Sequence, residues 1–311
     1  MKKVKFFSAA LMAALSLVIA NSCAKQDPSP VDNPIDNRQV AKENPSVISA
    51  IIPEEITKVA SSDLGVGNGM SLAWEAGDAI RVIATAGGSG NEVFTIKDGF
   101  TATSAEFEGT PVTGSAFTVL YPGTYADVDA INARGYTSQE QDGNGSVAHL
   151  EWNAIEDVAD YGTVTFSNKQ NGALRFTLQL PDAFTKVYSL SLYATDGSDA
   201  PLSVFSTTNG GGSTTDHLDL NLKDGANDYI TLAADKVLTA YMMVSWNDNA
   251  LPAGTKLLIK VKGDQDDPWV KTKDVASDFT IAGGKVTNIK LNDDNWDEPL
   301  FWGGDGTQKN P

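Results

Sequence analysis

The chain has 311 residues, enough at roughly 150 per domain for two domains with proper cores and no need of disulfide or metal staples. With 23 basic against 40 acidic side chains the formal net charge is −17, which repels phosphate backbones and excludes nucleic acid as a partner. One cysteine and two histidines exclude a disulfide framework, a multi-cysteine zinc site and a histidine-rich metal centre, while 41% hydrophobic and 8% aromatic content assign the acidity to a folded surface.

In chain order, residues 1–22 come first. Lys2, Lys3 and Lys5 precede an apolar run from Phe6 to Ala20 that ends on Asn21, Ser22 and Cys23, the pattern of a secretory signal peptide. The run is shorter than the roughly 20 apolar residues of a membrane span. Small residues directly ahead of a cysteine resemble the lipobox of bacterial lipoproteins, so Cys23 is expected to be the first mature residue and the site of lipidation, palmitate included. Several acyl chains together hold a protein stably at the outer membrane, where one chain does so only marginally. Residues 23–45 carry prolines among Asp, Asn, Gln and Lys, cannot bury enough apolar surface to order themselves, and read as a disordered tether. Lys25-Gln26-Asp27 loosely resembles the acidic export signals of Bacteroidales surface lipoproteins, which favours exposure at the cell surface.

From Val47 onward the pattern changes to short β-rich runs separated by turn residues. Strands are expected at Ala79–Ile83, Glu92–Ile96 and Ala116–Tyr121, with a turn or two of helix at Tyr125–Ala133 and at Ala154–Asp160. The polar, glycine-bearing stretch Gln139–Asp160 sets a boundary, so the first domain is 46–161. Within that stretch Glu140, Asp142 and Asn144, then Gly145 and Glu151, fall at the first, third, fifth, sixth and twelfth places of a calcium loop. A solvated acidic loop is the simpler reading because no helices flank it; a Ca²⁺ ion on Glu140, Asp142, Asn144 and Glu151 is the alternative, and otherwise no cofactor is expected. The second domain, 162–296, repeats the strand pattern at Gly162–Phe166, Leu174–Leu180, Val187–Tyr193, Leu218–Leu222, Val237–Trp246, Lys256–Val261 and Val286–Leu291. Asp98-Gly99, Asp142-Gly143, Asn171-Gly172, Asp196-Gly197 and Asp224-Gly225 supply turns. The tail, 297–311, holds Pro299, Gly303, Gly304 and Gly306 without sustained alternation. The fold class is therefore all-β, two antiparallel β-sandwiches in tandem.

Catalytic signals are weak. Gly65-Val-Gly-Asn-Gly69 and Gly87-Gly-Ser-Gly90 lack the spacing, helix and lysine of a phosphate cradle, and neither His149 nor His217 lies in a nucleophile context. The chain reads as a non-enzyme, with a carboxylate-dependent glycosidase as the weaker alternative, since two carboxylates need no local motif. Trp269, Trp296, Phe301 and Trp302 are aromatics for sugar stacking or, more simply, for packing.

Leu72-Ala-Trp-Glu-Ala-Gly-Asp-Ala-Ile-Arg-Val82 resembles the entry to the first domain of the fimbrillin (Mfa-like) family of Bacteroidales surface proteins. Ile56-Thr-Lys-Val59, Ala105-Glu-Phe-Glu-Gly109, Val119-Leu-Tyr-Pro122, Asn171–Leu178 and Ile281–Leu291 are similar to further landmarks of that family, in the same order. The resemblance implies transthyretin-like sandwiches, an outer-membrane lipoprotein and a structural, anchor, tip or accessory role in a fimbrium. It also implies assembly by strand exchange, with Val47–Ile52 the leaving strand and Lys58, or earlier Arg38, the processing site; retention of Val47–Val59 as an ordinary edge strand is the alternative. Partners are then other fimbrial subunits or a surface receptor or glycan. The tail lacks the alternation of a donor strand, which favours an anchor, tip or accessory subunit over a shaft subunit. A glycan-binding surface lipoprotein of a polysaccharide-uptake system is the competing reading.

Overall fold

Alternation of apolar and polar residues at period two puts one face of each segment into a core and the other toward solvent, and strands form wherever it is sustained. The structure is a computed structural model describing residues 44–53, 73–245, 250–265, 268–275, 279–280, 283–292, 296, 301–302 and 308–309; at 250, 279–280, 301–302 and 308–309 it describes the backbone alone. The chain divides into two units, Met1–Lys42, outside the described residues, and Glu43–Pro311. The latter begins with β1 (Val47–Ile51), β2 (Ala79–Ala86), β3 (Asn91–Ile96), β4 (Ser104–Glu108), β5 (Ala116–Tyr121), helix α1 (Val128–Asn132), β6 (Ser138–Asp142), β7 (Ala154–Val158) and β8 (Thr163–Thr165). It continues with β9 (Asn171–Gln179), β10 (Lys186–Thr195), β11 (Phe205–Ser206), β12 (Thr214–Thr215), β13 (His217–Lys223), β14 (Ile230–Thr231), β15 (Val237–Ser245) and β16 (Ala250–Leu251). Last come β17 (Lys256–Gly263), β18 (Trp269–Asp274), β19 (Phe279–Thr280), β20 (Val286–Leu291), β21 (Phe301–Trp302) and β22 (Gln308–Lys309).

The first body is a seven-stranded sheet in the order β7-β5-β2-β3-β4-β1-β8. It rolls around its own core. Trp74 lies 5.0 Å from Phe107 of β4 and 5.4 Å from Tyr121 of β5, strands that are not neighbours in the sheet. The second body is a sandwich of two sheets, β18-β17-β10-β13-β6 with β14 beside β10, against β15-β9-β20. Leu190, Leu220 and Ile259 from the larger sheet meet Phe176, Leu238 and Ile289 from the smaller in one buried cluster.

Most ladders are antiparallel, but β1 with β8, β6 with β13 and β9 with β20 run parallel. Each parallel pair joins strands far apart in sequence, as a parallel ladder requires a long crossover. Ala154–Val158 is a strand paired with β5 where the sequence suggested a helical turn: the ladder, not the local propensity, decides it. Gln139–Asp142, expected as loop, belongs to β6. Asp127 caps α1 by accepting from the Ala130 amide at 2.8 Å, within the expected helical stretch. Strand pairing crosses residue 161 in both directions: β6 joins the second body's sheet, while β8 joins the first. Tyr161 itself is fully buried in the first core, its hydroxyl accepting from the Val112 amide at 2.8 Å and donating to the Val112 carbonyl at 3.0 Å.

Candidate functional site

The first strand lies inside the sheet rather than at its edge. β1 runs antiparallel to β4, from Val47 opposite Glu108 to Ile51 opposite Ser104, and parallel to β8 on its other side. Its alternation sends Ile48 and Ala50, both with no exposure, into the core, and Ile52 follows at 5%. Residues 54–72 are outside the described residues, and so are Cys23, Arg38 and Lys58.

The residues that carried the family resemblance come together beside this slot. Gly77 adopts φ +96°, a conformation that favours glycine, in the turn that leads into β2. Asp78 closes that turn by accepting from the Glu75 amide at 2.8 Å and then accepts from the Tyr121 hydroxyl at 3.1 Å. Burial raises the pKa of Asp78 against these bonds, and the same burial raises that of Tyr121. Gly109 follows β4 where a Cβ would lie 2.7 Å from the Phe94 ring, so a side chain there displaces a fully buried aromatic. The landmarks thus have a packing role: they hold the roll of the sheet around Trp74.

The four residues of the calcium spacing are not assembled into an oxygen cage. Glu140 pairs with Lys223 at 2.5 Å, and Asp142 accepts from the Gly225 amide at 2.8 Å, both on the outer face of β6. Asn144 turns the other way, accepting from the Thr239 amide at 2.8 Å and donating to the Val237 carbonyl at 2.9 Å. Glu151 accepts from Tyr125 at 2.6 Å and pairs with Arg134 at 3.1 Å. Among the described residues no three His, Cys, Asp or Glu side chains converge to hold a metal. The period of a strand, not of a calcium loop, governs Gln139-Glu-Gln-Asp142: amides face one way and carboxylates the other.

Those amides do something the sequence did not announce. β15 is the outer strand of its sheet, and its free edge is covered by side chains. Gln139 accepts from the Met243 amide at 2.7 Å and donates to the Met243 carbonyl at 2.8 Å. Gln141 accepts from the Tyr241 amide at 2.8 Å and donates to the Thr239 carbonyl at 3.0 Å; Asn144 continues the series. His149 completes it, its Nε2 3.0 Å from the Tyr241 carbonyl. A carbonyl only accepts, so Nε2 carries the proton. Burial and the Arg134 charge lower the histidine's pKa, opposed by that hydrogen bond. Side chains therefore imitate a neighbouring strand, and the edge is closed to pairing.

Beside this edge runs a buried polar seam. Tyr136 donates to Asn209 Oδ1 at 2.6 Å and accepts from Asn171 Nδ2 at 2.9 Å; Asn209 Nδ2 reaches Asn153 Oδ1 at 3.0 Å, and all four residues are essentially unexposed. The odd-numbered Ala173, Tyr241 and Met243 point to the first core while the even-numbered Leu174, Met242 and Val244 point to the second, so β9 and β15 serve both bodies.

Of the aromatics weighed for sugar stacking, Trp296 is 7% exposed and donates to the Gln179 and Asn292 carbonyls at 3.0 and 3.1 Å, and Trp269 packs edge-on against Phe184 at 5.6 Å. Both are packing residues. The side chains of Phe301 and Trp302 are outside the described residues. Sequence reasoning passed over Thr195, placed Tyr193 only within a strand and weighed His217 only for a nucleophile context; all three lie on the outward face of the larger sheet. They sit on β10 and β13, where only cross-strand register, Tyr193 opposite His217, brings them together.

No family model matches the chain, and none of the curated proteins does. Among solved structures the chain is similar to a candidate cell-adhesion protein of Bacteroides ovatus, at 13% identity and a TM-score of 0.44 over 82% of this chain and 95% of that one. A candidate cell-adhesion protein of Parabacteroides distasonis matches at 12% identity and a TM-score of 0.36, over 81% of this chain and 90% of that one. The C-terminally truncated tip fimbrial protein Mfa3 of Porphyromonas gingivalis matches at 8% identity and a TM-score of 0.37, over 80% of this chain and 95% of that one.

Proposed function

We propose that this chain is a cell-surface component of an adhesive or fimbrial assembly, anchored in the outer membrane through lipid on Cys23, with β1 as an exchangeable strand. The observation that carries this reading is the placement of β1. It is the first strand among the described residues, lies between β4 and β8, and buries Ile48 and Ala50 completely. A single cut at Lys58 would leave β1 held by its ladders and apolar contacts alone, whereas a cut at Arg38 would remove only the tether. Departure of β1 would expose the facing edges of β4 and β8 and two apolar sockets, a template for an extended segment of another subunit with apolar residues at alternate positions. Ladder hydrogen bonds would supply affinity and the sockets register.

Limited trypsin digestion of the purified protein tests this. The expected result is a discrete product beginning at Val59, followed by SDS-resistant ladders, with both lost in Lys58→Ala. A protein that resists cleavage at Lys58, or that is cleaved there and stays monomeric, overturns the reading.

A further inference from the structure

We propose that His149 is a pH-sensitive latch on the covered edge of β15: in acid its second proton has no place in the closed structure, and residues 144–149 come off the strand. This does not rest on the fimbrial reading. The edge is covered by two sets of groups that are held in different ways. Gln139 and Gln141 project from β6, which is tied to β13 along its whole length, Ser138–Asp142. Residues 144–149 have left that ladder. They are held to β15 by the two bonds of Asn144, by the Gly145 amide donating to the Thr239 carbonyl at 2.8 Å, and by His149. Of these groups only the imidazole changes charge near neutral pH. What its release uncovers is the Thr239 amide and the Val237 carbonyl, backbone groups of the kind an added strand pairs with.

Geometry makes the two protonation states unequal. Neutral His149 donates from Nε2 to the Tyr241 carbonyl at 3.0 Å, while Nδ1 is closed to solvent and has no hydrogen-bond partner among the described residues. A proton on Nδ1 therefore loses its water and gains no acceptor, and an unpaired buried charge costs more than an unpaired neutral atom. The charged and titratable groups around the ring do not supply an acceptor. From the chain between α1 and β6, the Arg134 guanidinium repels an imidazolium and the Tyr136 hydroxyl donates to Asn209. From β6, Glu140 pairs with Lys223 and Asp142 accepts from the Gly225 amide. Glu151, on the histidine's own segment, is engaged by Arg134 and by the Tyr125 hydroxyl. β15 has no charged side chain, and its Tyr241 ring lies in the first core. Burial and Arg134 thus hold the imidazole below its usual pKa of 6.5, against the hydrogen bond to Tyr241. A ring so held binds more protons once it is released, so the closed state loses ground as pH falls from 6.5. The way out is short, because His149 is only partly buried and lines a cavity of about 250 Å³ with Arg134 and Glu140.

Backbone amide exchange followed by NMR on the full chain, from about pH 7 to about pH 5, tests this, each rate being divided by the intrinsic rate at that pH. Thr239 is the reporter, since its amide is accepted by Asn144. Its protection is expected to fall by up to about tenfold per pH unit below 6.5, until the folded pKa of the histidine is passed. The Tyr241 and Met243 amides, held by Gln141 and Gln139, are expected to keep theirs. In His149→Gln, whose side-chain amide can donate to the same carbonyl and does not titrate, Thr239 is expected to stay protected throughout. Thr239 protection that does not change with pH in the parent, a fall shared equally by Tyr241 and Met243, or a fall that persists in His149→Gln overturns the proposal. The first two outcomes need only the parent protein, so the test stands even if His149→Gln fails to fold.

Discussion

Lys169 is 4% exposed, and among the described residues its ammonium reaches only the Phe166 carbonyl, at 2.9 Å, and the Phe166 ring, 5.7 Å from Nζ to centroid. Desolvation outweighs the attraction of Glu156 and brings its pKa from 10.5 down to about 8. A group whose folded pKa is depressed binds more protons in the unfolded chain, so stability rises as pH climbs from about 8 toward 10.5. Below that window both states are protonated and the desolvation cost is fully present. Lys169→Met is therefore expected to raise the unfolding free energy at pH 7 by about 1–3 kcal/mol and to abolish the gain that the parent shows on going to alkaline pH. Urea unfolding of both proteins at neutral and alkaline pH measures this; an unchanged or lowered stability at pH 7 contradicts it. Nothing in Ser167-Asn-Lys-Gln170 signals burial. A bridge between Lys169 and Ala154, paired across the turn that links the two bodies, creates it.

At the scale of elements, β6 illustrates how one strand does two jobs with two faces. Its backbone extends the larger sheet beside β13, and its amide side chains close the edge of β15 in the smaller one. Gln141 has no exposure and supplies the acceptor for the Tyr241 amide, so Gln141→Leu leaves a buried N–H unpaired. The expected loss is about 1–3 kcal/mol. Glu140→Gln, one residue away on the solvated face, breaks only the exposed pair with Lys223 and is expected to change stability by less than about 1 kcal/mol. Chemical denaturation of the two variants side by side checks the contrast, and equal losses would mean that the amide ladder contributes nothing. The polar composition of Gln139–Asp142 was legible in the sequence as a break between domains. Its strand character was not, because the partners that make these polar side chains welcome in a buried setting lie about a hundred residues away.

Among the described residues the folded body has two hydrophobic cores but shares its strands between them. β6 reaches into the second body before the chain returns to finish the first with β7 and β8, and β9 and β15 present opposite faces to the two cores. The seam of Tyr136, Asn153, Asn171 and Asn209 is desolvated and fully interbonded, so separating the bodies exposes it at a cost that neither body recovers alone. Thermal unfolding is expected to be a single cooperative transition in differential scanning calorimetry, and two resolved peaks would show that the bodies are energetically independent. Cleavage before β2 would test the same coupling, since loss of β1 opens only the first core.

By itself the sequence determined the all-β class, the position of most strands and the acidic surface, because period-two alternation, turn dipeptides and charge are local properties. It also singled out Trp74, Gly77, Asp78, Gly109 and Tyr121 as landmarks, and their packing supplies the reason. Tertiary structure alone decided which strands pair, that β1 lies within a sheet instead of on its edge, that three pairs among the described residues run parallel, and that Glu140 and Asp142 lie on a strand while Asn144 bonds the edge of β15 and Glu151 pairs with Arg134. It alone grouped Tyr193, Thr195 and Leu258 around a cavity. Each of these depends on contacts between residues distant in the chain, whose register is set by the burial of whole faces at once, and no local spacing carries that information.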